Sequence, residues 1–373
     1  MSMFTGTIPA DLLPSDGRFG CGPSRVRDGQ IQAIVSAQPR IIGTSHRKPA
    51  VKNTVASIQE GLTNLFQLPD GYEVLLSLGG ATAFWDAATF GLIEKKSGHL
   101  TYGEFSSKFA KASKMAPWLD EPTVVESDYG TAPAPQAMEG CDVIAWAHNE
   151  TSTGVMVPVV RPEGSAGSLV VIDATSGAGG LPVDASQADA YYFSPQKCFA
   201  SDGGLWIGFF SPAAIERIEK LAAESDRFQP AFLNLKTVLD NSRKNQTYNT
   251  PAVGTLVMLN NQIEWMNSEG GLDAMVARST ANSQALYEWA EKRPETHPYV
   301  TNPADRSLVV GTIDFDDSVD ANEIAKVLRA NGVLDTEAYR KLGRNQLRIG
   351  LFPAIDTEDI VKLTQAIDYV LDH

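Results

Sequence analysis

The chain has few cysteines and few histidines, and neither residue type forms a recognisable site. The three cysteines, Cys21, Cys141 and Cys198, lie far apart, and an odd, scattered set implies no disulfide framework. We therefore expect a reducing, cytoplasmic environment. The five histidines show no metal-ligand spacing and there is no C-x-x-C pair, so no metal site is predicted.

Long apolar runs are also missing, as are several common catalytic motifs. The densest apolar stretch, Leu205 to Phe210, has the length of one strand, far short of a membrane span. Residues 1–19 lack a basic segment followed by an apolar one, so we expect no signal peptide. The sequence contains no nucleophile elbow, P-loop or dinucleotide fingerprint.

Positive charge is scarce, with 31 Lys and Arg against 45 Asp and Glu and a formal net charge of −14. This balance argues against nucleic acid or an anionic membrane as a partner. It is compatible with an anionic small substrate, because charges beyond about 8 Å are largely screened at physiological salt. A few arginines can reverse the field inside a cleft. The apolar content of 43% is typical of a globular enzyme with a substantial core.

What the chain does contain is a series of short apolar runs separated by helical or small-residue segments. Predicted strands lie at Val74–Leu78, Thr123–Val125, Val143–Ala147, Leu169–Ile172, Ala190–Phe193 and Leu205–Phe210. Strands that are apolar throughout and alternate with helices indicate an α/β domain with a largely parallel sheet. Ligands of such sheets bind at the carboxyl ends of the strands.

The last quarter of the chain predicts a second, smaller α+β domain. Its β–α–β–α pattern comprises Leu308–Phe315, Asn322–Ala330, Leu347–Phe352 and Thr357–Leu371. Gly332 is expected to end the first of these helices, and Asp356 to be the N-cap of the second. We assign residues 16–265 to a large domain, and residues 1–15 with 266–373 to a small one.

A lysine and an aspartate, each placed at the end of an apolar strand, are the most informative pair in the sequence. Lys197 ends the run that begins at Tyr191, and Asp173 follows the run 168–172. Pyridoxal phosphate enzymes need such a pair. The amine forms a Schiff base with the cofactor's aldehyde, and the carboxylate keeps the pyridine nitrogen protonated. Strands often end in charged residues, so the pair alone also fits an ordinary sheet.

Three further segments suit the same cofactor. Gly79–Gly80–Ala81–Thr82 joins a strand to a helix and leaves backbone N–H groups free for a phosphate. Thr151 can hydrogen-bond a ring oxygen, and Phe105 can stack on a pyridine ring. Each segment alone has an ordinary alternative: a tight turn, a plain loop or a core aromatic.

In their order along the chain, these segments resemble phosphoserine aminotransferases, which belong to the class V branch of fold-type I pyridoxal phosphate enzymes. The resemblance covers about Arg18 to Pro353. The matching segments are Gly22–Pro23, Gly43–Thr44–Ser45–His46–Arg47, Gly79–Gly80–Ala81–Thr82, Asn149–Glu150–Thr151, Asp173, Gln196–Lys197, Asn249–Thr250–Pro251 and Arg348. The implied fold is a large domain with a mostly parallel seven-stranded sheet and a smaller α+β domain.

The resemblance also implies the cofactor, pyridoxal 5'-phosphate, and its contacts. Lys197 would form the Schiff base and then carry a proton between the substrate's α-carbon and the cofactor, while Asp173 would pair with the ring nitrogen. The other implied contacts are Thr151 with the ring oxygen, Phe105 with the ring face, and Ala81, Thr82 and Gln196 with the phosphate. Asn249 and Thr250 would reach that phosphate from the neighbouring subunit of a homodimer.

The reaction implied by the resemblance is amino transfer between glutamate and 3-phosphohydroxypyruvate, giving O-phospho-L-serine and 2-oxoglutarate in serine biosynthesis. His46 and Arg47 would grip the substrate phosphate with help from Arg340, and Arg348 would hold the α-carboxylate. Arginine suits both groups because its planar fork matches carboxylate and phosphate. The partners expected are therefore anionic metabolites.

Two departures from the family pattern affect the expected phosphate grip and the ring-stacking position. Tyr339 stands where many members have His, and the loop from Arg340 to Arg348 is slightly longer. Phe105 stands where many have Trp. Which of Arg340, Lys341 and Arg344 faces the substrate stays open.

Three other functions are alternatives to this interpretation. A cysteine desulfurase usually has His before the Schiff-base lysine, whereas Gln196 precedes Lys197 here. An alanine–glyoxylate type aminotransferase has no need of His46 and Arg47. A non-catalytic metabolite-binding protein of the same fold would lack Lys197 or its carboxylate partner, or carry an added DNA-binding module.

Overall fold

A computed structural model of the chain describes residues 6–224 and 227–373. The α-helices are α1 (Asp28–Ala37), α2 (Pro49–Phe66), α3 (Gly80–Gly91), α4 (Glu104–Met115), α5 (Pro212–Ala223), α6 (Leu235–Ser242), α7 (Val253–Ser268), α8 (Gly271–Ala290), α9 (Ala321–Ala330) and α10 (Thr357–Asp372). The strands are β1 (Glu73–Leu78), β2 (Ser97–Thr101), β3 (Thr123–Glu126), β4 (Val143–Ala147), β5 (Asn149–Glu150), β6 (Val155–Met156), β7 (Leu169–Asp173), β8 (Ala190–Phe193), β9 (Leu205–Phe210), β10 (Thr296–Pro298), β11 (Val310–Phe315) and β12 (Gln346–Gly350).

The main sheet has seven strands in the order β1-β9-β8-β7-β4-β2-β3. Neighbouring strands from β3 across to β8 are parallel, and β9 runs antiparallel to both of its neighbours. Every residue of β4, β7, β8 and β9 is buried, which explains why these strands appear in the sequence as continuous apolar runs. The predicted, mostly parallel seven-stranded sheet is confirmed.

Helices cover both faces of the sheet. On one face, the core joins α2 and α7 to the strands and includes Ile58, Leu259 and Tyr191. On the other face, α3, α5 and α6 pack on the sheet around Phe84 and Tyr192. The neighbouring tyrosines of β8 therefore point to opposite sides, as alternate residues of a strand must.

Strand β2 was not predicted, although it lies inside the sheet between β3 and β4. Its sequence, Ser97–Gly98–His99–Leu100–Thr101, has little apolar character, yet all five residues are buried. The ring of His99 is hydrogen-bonded to the hydroxyls of Ser97 (2.9 Å) and Ser113 (3.1 Å). Burial lowers the pKa of His99 to about 3. Local hydrogen bonds thus make a polar segment acceptable in the core.

The C-terminal part forms a separate antiparallel sheet in the order β10-β11-β12, whose core includes residues of α8, α9 and α10. Ile8 and Phe19 pack into the same core. Gly332, with φ +86°, follows the end of α9 as predicted. Asp356 occupies the N-cap position of α10, but its side chain makes no capping bond. The predicted N-cap residue is therefore confirmed, although its side chain accepts from Arg278 at 2.7 Å instead of from the helix.

The proposed small domain includes residues 1–15, of which 1–5 lie outside the described residues.

None of the helices in the described ranges has both the length and the apolar character needed to cross a membrane. All three cysteines are free thiols and buried.

Candidate active site

A cavity of about 260 Å³ lies beside the carboxyl ends of β4, β7 and β8. It is lined by Gly79, Gly80, Ala81, Thr82, Trp85, Phe105, Ala147, Asn149, Thr151, Asp173, Thr175, Ser194, Gln196, Lys197 and Gly204. All seven residues that the sequence analysis assigned to cofactor contacts within one subunit line this cavity. The parallel strands bring them together because their carboxyl ends meet at one edge of the sheet.

Lys197 is partly buried, and its Nζ donates to the backbone oxygen of Cys21 at 2.6 Å. Burial lowers the pKa of Lys197 to about 8, with a further lowering from the positive charge of Arg348. The close approach depends on Gly22, where an added Cβ would lie 2.2 Å from Nζ. Gly22 also has φ +125°, which side-chain-bearing residues rarely adopt.

Asp173 is the last residue of β7 and is only 6% exposed. Its Oδ1 accepts from the backbone N–H of Thr175 at 2.9 Å, and its Oδ2 accepts from the indole N–H of Trp85 at 3.0 Å. The same indole N–H donates to the hydroxyl of Tyr192 at 2.9 Å, and burial and the negative charge of Asp173 raise the pKa of Tyr192. Neither Trp85 nor Tyr192 was predicted from the sequence to belong to the site. Their patterns, a helical aromatic and a strand aromatic, are those of ordinary core residues.

The phosphate cradle expected at Gly79–Thr82 is the beginning of helix α3. Gly79 and Gly80 have φ of +98° and +68°, a left-handed turn that leads from β1 into the helix. The helix has no side-chain N-cap, so most of its first N–H groups stay free for a ligand. One of them is already used, because the N–H of Ala81 donates to Ser194 Oγ at 2.9 Å.

Glu150 anchors the segment that carries Phe105. Its carboxylate is fully buried and accepts from the N–H groups of Phe105 (3.1 Å) and Ser106 (2.9 Å) at the start of α4. The hydroxyls of Ser106 and Ser152 donate to it as well. Helix α4 has no capping side chain of its own, so Glu150 serves as its N-terminal acceptor. Glu150 belongs to the matching segment Asn149–Glu150–Thr151, but no role for it was predicted from the sequence.

Arg348 reaches the cavity's edge from strand β12 of the small sheet. Its Nη1 donates to the backbone oxygen of Thr151 at 3.1 Å, and its guanidinium lies 5.2 Å from the ring centre of Tyr339. The Nε atom is buried and has no partner among the described residues. Tyr339 in turn contacts Phe105, with ring centres 6.0 Å apart. Arg348 therefore retains an unused donor beside the cavity.

The three basic residues of the loop before β12 have different surroundings. Lys341 donates to Glu104 at 2.5 Å, and Arg344 forms an ion pair with the buried Asp314. Arg340 has no hydrogen bond or ion pair to any residue in the described ranges. It is exposed and lines a separate cleft of about 650 Å³.

Besides Arg340 and Arg348, four residues predicted to belong to the site do not line this cavity. His46 is buried and its Nε2 has no partner among the described residues, whereas Arg47 is exposed. Asn249 and Thr250 are also exposed. The first pair directly precedes helix α2, and the second pair directly precedes α7.

Helices α2 and α7 lie side by side and run in the same direction. Near their beginnings, Thr54 and Val257 line one surface groove. Further along, the side chain of Asn267 donates to the backbone oxygen of Gly61 at 3.0 Å. Thr54 and Gly61 of α2 meet Val257 and Asn267 of α7 in the same order along the chain, so the two helices are parallel and their N-termini lie at the same end. The loops that carry His46, Arg47, Asn249 and Thr250 therefore lie together at that end of the helix pair.

Comparison with known proteins gives consistent results. Residues 37–337 match the family described as Aminotransferase class-V. A phosphoserine aminotransferase of Corynebacterium glutamicum (strain R) is 74% identical over 366 residues, covering 98% of this chain and 97% of that protein. One from Nocardioides sp. (strain ATCC BAA-499 / JS614) is 61% identical over 368 residues, with 98% of each chain covered.

Solved structures show the same architecture. The crystal structure of a phosphoserine aminotransferase from Cytophaga hutchinsonii has a TM-score of 0.87 and 25% identity, covering 95% of this chain and 99% of that one. A phosphoserine aminotransferase from Trichomonas vaginalis, described as PLP-bound, has a TM-score of 0.79 and 20% identity. It covers 95% of this chain and 99% of its own.

Proposed function

The chain belongs to aminotransferase class V and to its phosphoserine aminotransferases, and on this basis we propose that it transfers the amino group of glutamate to 3-phosphohydroxypyruvate. The products are O-phospho-L-serine and 2-oxoglutarate, and the reaction serves serine biosynthesis. One observation carries the proposal: the amine of Lys197 and the carboxylate of Asp173 line the same cavity.

The residues present fit pyridoxal phosphate, the cofactor of this enzyme. The cavity offers an amine, a buried carboxylate and the N-terminus of α3. Its wall also carries buried polar atoms without partners among the described residues: Asn149 Oδ1, Thr175 Oγ1 and Gln196 Oε1. Buried polar atoms of this kind are normally satisfied, so they support a polar ligand. When bound, the cofactor supplies an aldehyde and an electron-accepting ring.

Lys197 is the proposed covalent attachment point and proton carrier. With a pKa lowered to about 8, roughly a tenth of these amines are neutral at pH 7. A lysine with its ordinary pKa has well under a thousandth in that form. Only the neutral amine can attack an aldehyde or accept a proton. Burial of Lys197 thus prepares it for both tasks.

We propose that Arg348 binds the α-carboxylate that all substrates of the reaction share. Its buried, unpartnered Nε supports this role, because an unsatisfied charged donor is costly unless a ligand completes it. Thr151, whose carbonyl accepts from Arg348 Nη1, and Tyr339 hold the guanidinium at the cavity's edge. A carboxylate can accept from the guanidinium edge that these contacts leave free.

For the substrate phosphate we propose Arg340 as the ligand from the small domain. Lys341 and Arg344 are already paired with Glu104 and Asp314, whereas Arg340 carries a charge without a partner in the described chain. Since Arg340 lines the neighbouring cleft rather than the cavity, this role requires the loop to move inward. Substrate binding can supply the energy for such a movement.

His46, Arg47, Asn249 and Thr250 are proposed to complete the active site of a second subunit. They do not line their own cavity, and their loops share one end of the α2–α7 pair. Two subunits related by a twofold axis would each contribute the same loops to the other, as an isologous interface requires. The working enzyme is then a homodimer with shared sites.

Two further assignments stay proposals. We propose the division into a large domain (16–265) and a small one (1–15 and 266–373), supported by a core that joins Ile8 to β11, β12 and α10. We also propose a cytoplasmic location, with anionic metabolites and neither nucleic acid nor membrane as partners. The three buried free thiols and the net charge of −14 support it.

The function is tested by incubating the purified protein with glutamate, 3-phosphohydroxypyruvate and pyridoxal phosphate. We expect 2-oxoglutarate to form in amounts equal to phosphoserine. Offering alanine in place of phosphoserine in the reverse reaction separates this activity from a simple alanine-type aminotransferase. Absence of turnover at any cofactor concentration would reject the substrate assignment.

A further inference from the structure

Asp173 lies beside a pair of hydrogen-bonded aromatic residues, and their geometry suggests a task beyond packing. The indole N–H of Trp85 donates to Asp173 Oδ2 at 3.0 Å and to the hydroxyl of Tyr192 at 2.9 Å. The negative charge of Asp173 also acts on the Tyr192 hydroxyl, whose pKa it raises. Trp85 therefore links the carboxylate and the Tyr192 hydroxyl in one hydrogen-bonded group.

Each member of this group is fixed by a different part of the fold. Tyr192 is paired with Asp173 in the register of β8 and β7. Its ring stacks on Phe84 with centres 3.8 Å apart. Trp85 comes from helix α3, whose beginning is the proposed phosphate cradle, and it lines the cavity. The position of the carboxylate is thereby linked to the helix that would hold the cofactor's phosphate.

The neighbouring groups also suit a buried negative charge. A carboxylate that is removed from water loses its hydration, and hydrogen bonds to its oxygens compensate for that loss. Burial and the negative charge of Asp173 raise the pKa of Tyr192 well above its usual value, so the hydroxyl stays protonated. An indole N–H can only donate. The indole therefore offers the carboxylate a donor only, and the protonated hydroxyl of Tyr192 places no second negative charge beside it.

We propose that Trp85 and Tyr192 are positioning residues that hold the Asp173 carboxylate in the orientation in which it can pair with the ring nitrogen of pyridoxal phosphate. This inference rests on the proposed function, because it assumes the cofactor. Their action is indirect, since neither residue is required to touch the ring nitrogen.

Two matched pairs of variants test this. Trp85→Phe removes the indole donor, and Trp118→Phe removes an indole that donates instead to the backbone oxygen of Thr89 at 2.9 Å. Tyr192→Phe removes the hydroxyl next to Asp173. Tyr191→Phe removes an equally buried hydroxyl on the opposite face of the sheet, which contacts His148 at 3.1 Å. Each control variant thus loses one hydrogen bond that does not involve Asp173.

The measurement is equilibrium binding to the cofactor-free protein of two compounds, pyridoxal phosphate and its 1-deaza analogue, in which carbon replaces the ring nitrogen. Trp85→Phe and Tyr192→Phe should each weaken binding of pyridoxal phosphate roughly tenfold relative to their controls. Binding of the analogue should change by less than about twofold, because it has no ring nitrogen for Asp173 to engage.

Equal losses for both compounds would mean that the aromatic residues only support the fold, and no loss for pyridoxal phosphate would overturn the proposal directly. Loss of the near-UV circular dichroism of Trp85→Phe would mean that this variant is misfolded. The binding data of Tyr192→Phe then decide the test, since that variant keeps the ring that packs on Phe84. Failure of the unmodified protein to bind pyridoxal phosphate would instead reject the cofactor assignment. If the wild-type protein turns over phosphoserine but Trp85→Phe and Tyr192→Phe bind pyridoxal phosphate as tightly as their controls, the positioning role is rejected and the proposed function stands.

Discussion

Replacing Glu150 by Gln should release the start of helix α4, which carries Phe105. The carboxylate accepts from the backbone N–H groups of Phe105 and Ser106 and from two hydroxyls. An amide offers one acceptor oxygen, so its NH₂ group must face at least one of these buried N–H donors. We therefore expect a local loss of stability rather than a change of fold.

The magnitude follows from the contacts. One buried N–H left without an acceptor costs about 1–3 kcal/mol, and loss of a negative charge at a helix N-terminus costs about 0.3–1 kcal/mol more. Against this, the amide avoids the burial of a charge, a cost that is visible in the raised pKa of Glu150. A net loss of about 2 kcal/mol is the expected result, equal to a roughly 30-fold change in a local opening equilibrium.

Hydrogen exchange of peptides that cover residues 104–110 measures this opening without assuming two-state unfolding of the whole chain. Exchange in that segment should rise roughly 30-fold in the Glu150→Gln variant. The matched control is Glu216→Gln, an exposed glutamate of α5, for which we expect no change. If both variants exchange alike in this segment, Glu150 is not the anchor of α4 and the reasoning fails.

Three further predictions concern the cavity. In the cofactor-free protein, the rate at which Lys197 reacts with an aldehyde should rise with pH, with the midpoint of the rise near pH 8, since only the neutral amine reacts. Arg348→Ala should move that midpoint to higher pH. A midpoint near 10.5 in the unmodified protein would contradict the argument that burial lowers the pKa of Lys197. Arg348→Ala should also raise KM for glutamate and phosphoserine alike, by roughly 10- to 100-fold, and an effect confined to phosphorylated substrates would reassign the residue. Gly22→Ala should displace the amine of Lys197 and abolish covalent attachment of the cofactor, because the new Cβ would lie 2.2 Å from Lys197 Nζ. Gly140→Ala is the control for backbone strain, since Gly140 has φ +71° and open space around it. This control should retain covalent attachment.

Much of the large domain could be predicted because its buried parallel strands are apolar throughout. Strands β4, β8 and β9 have the predicted bounds, and β1, β3 and β7 differ by a single residue at one end. Strand β2 escaped prediction because its burial depends on hydrogen bonds from His99 to Ser97 and Ser113. A pattern based on apolarity cannot register bonds that form only after the chain has folded.

The same distinction applies to the site. Residues whose chemistry is visible locally, such as Lys197 and Asp173 at strand ends, were named from the sequence. Trp85, Tyr192 and Gly22 were given no such task, because an aromatic residue or a glycine has many uses and its partner is distant in sequence. Trp85 is 88 residues from Asp173, and Lys197 is 176 residues from the Cys21 oxygen that it contacts.

By itself, the sequence determined the α/β architecture, the chemical groups available for catalysis and the order in which they occur. These depend on periodicity and residue type, which are local properties of a chain. Only the tertiary structure decided which donors reach the Asp173 carboxylate, which basic residues of the 340–344 loop are already paired, and which loops lie away from their own cavity. Such relations depend on distances between residues far apart in sequence, and packing alone sets those distances.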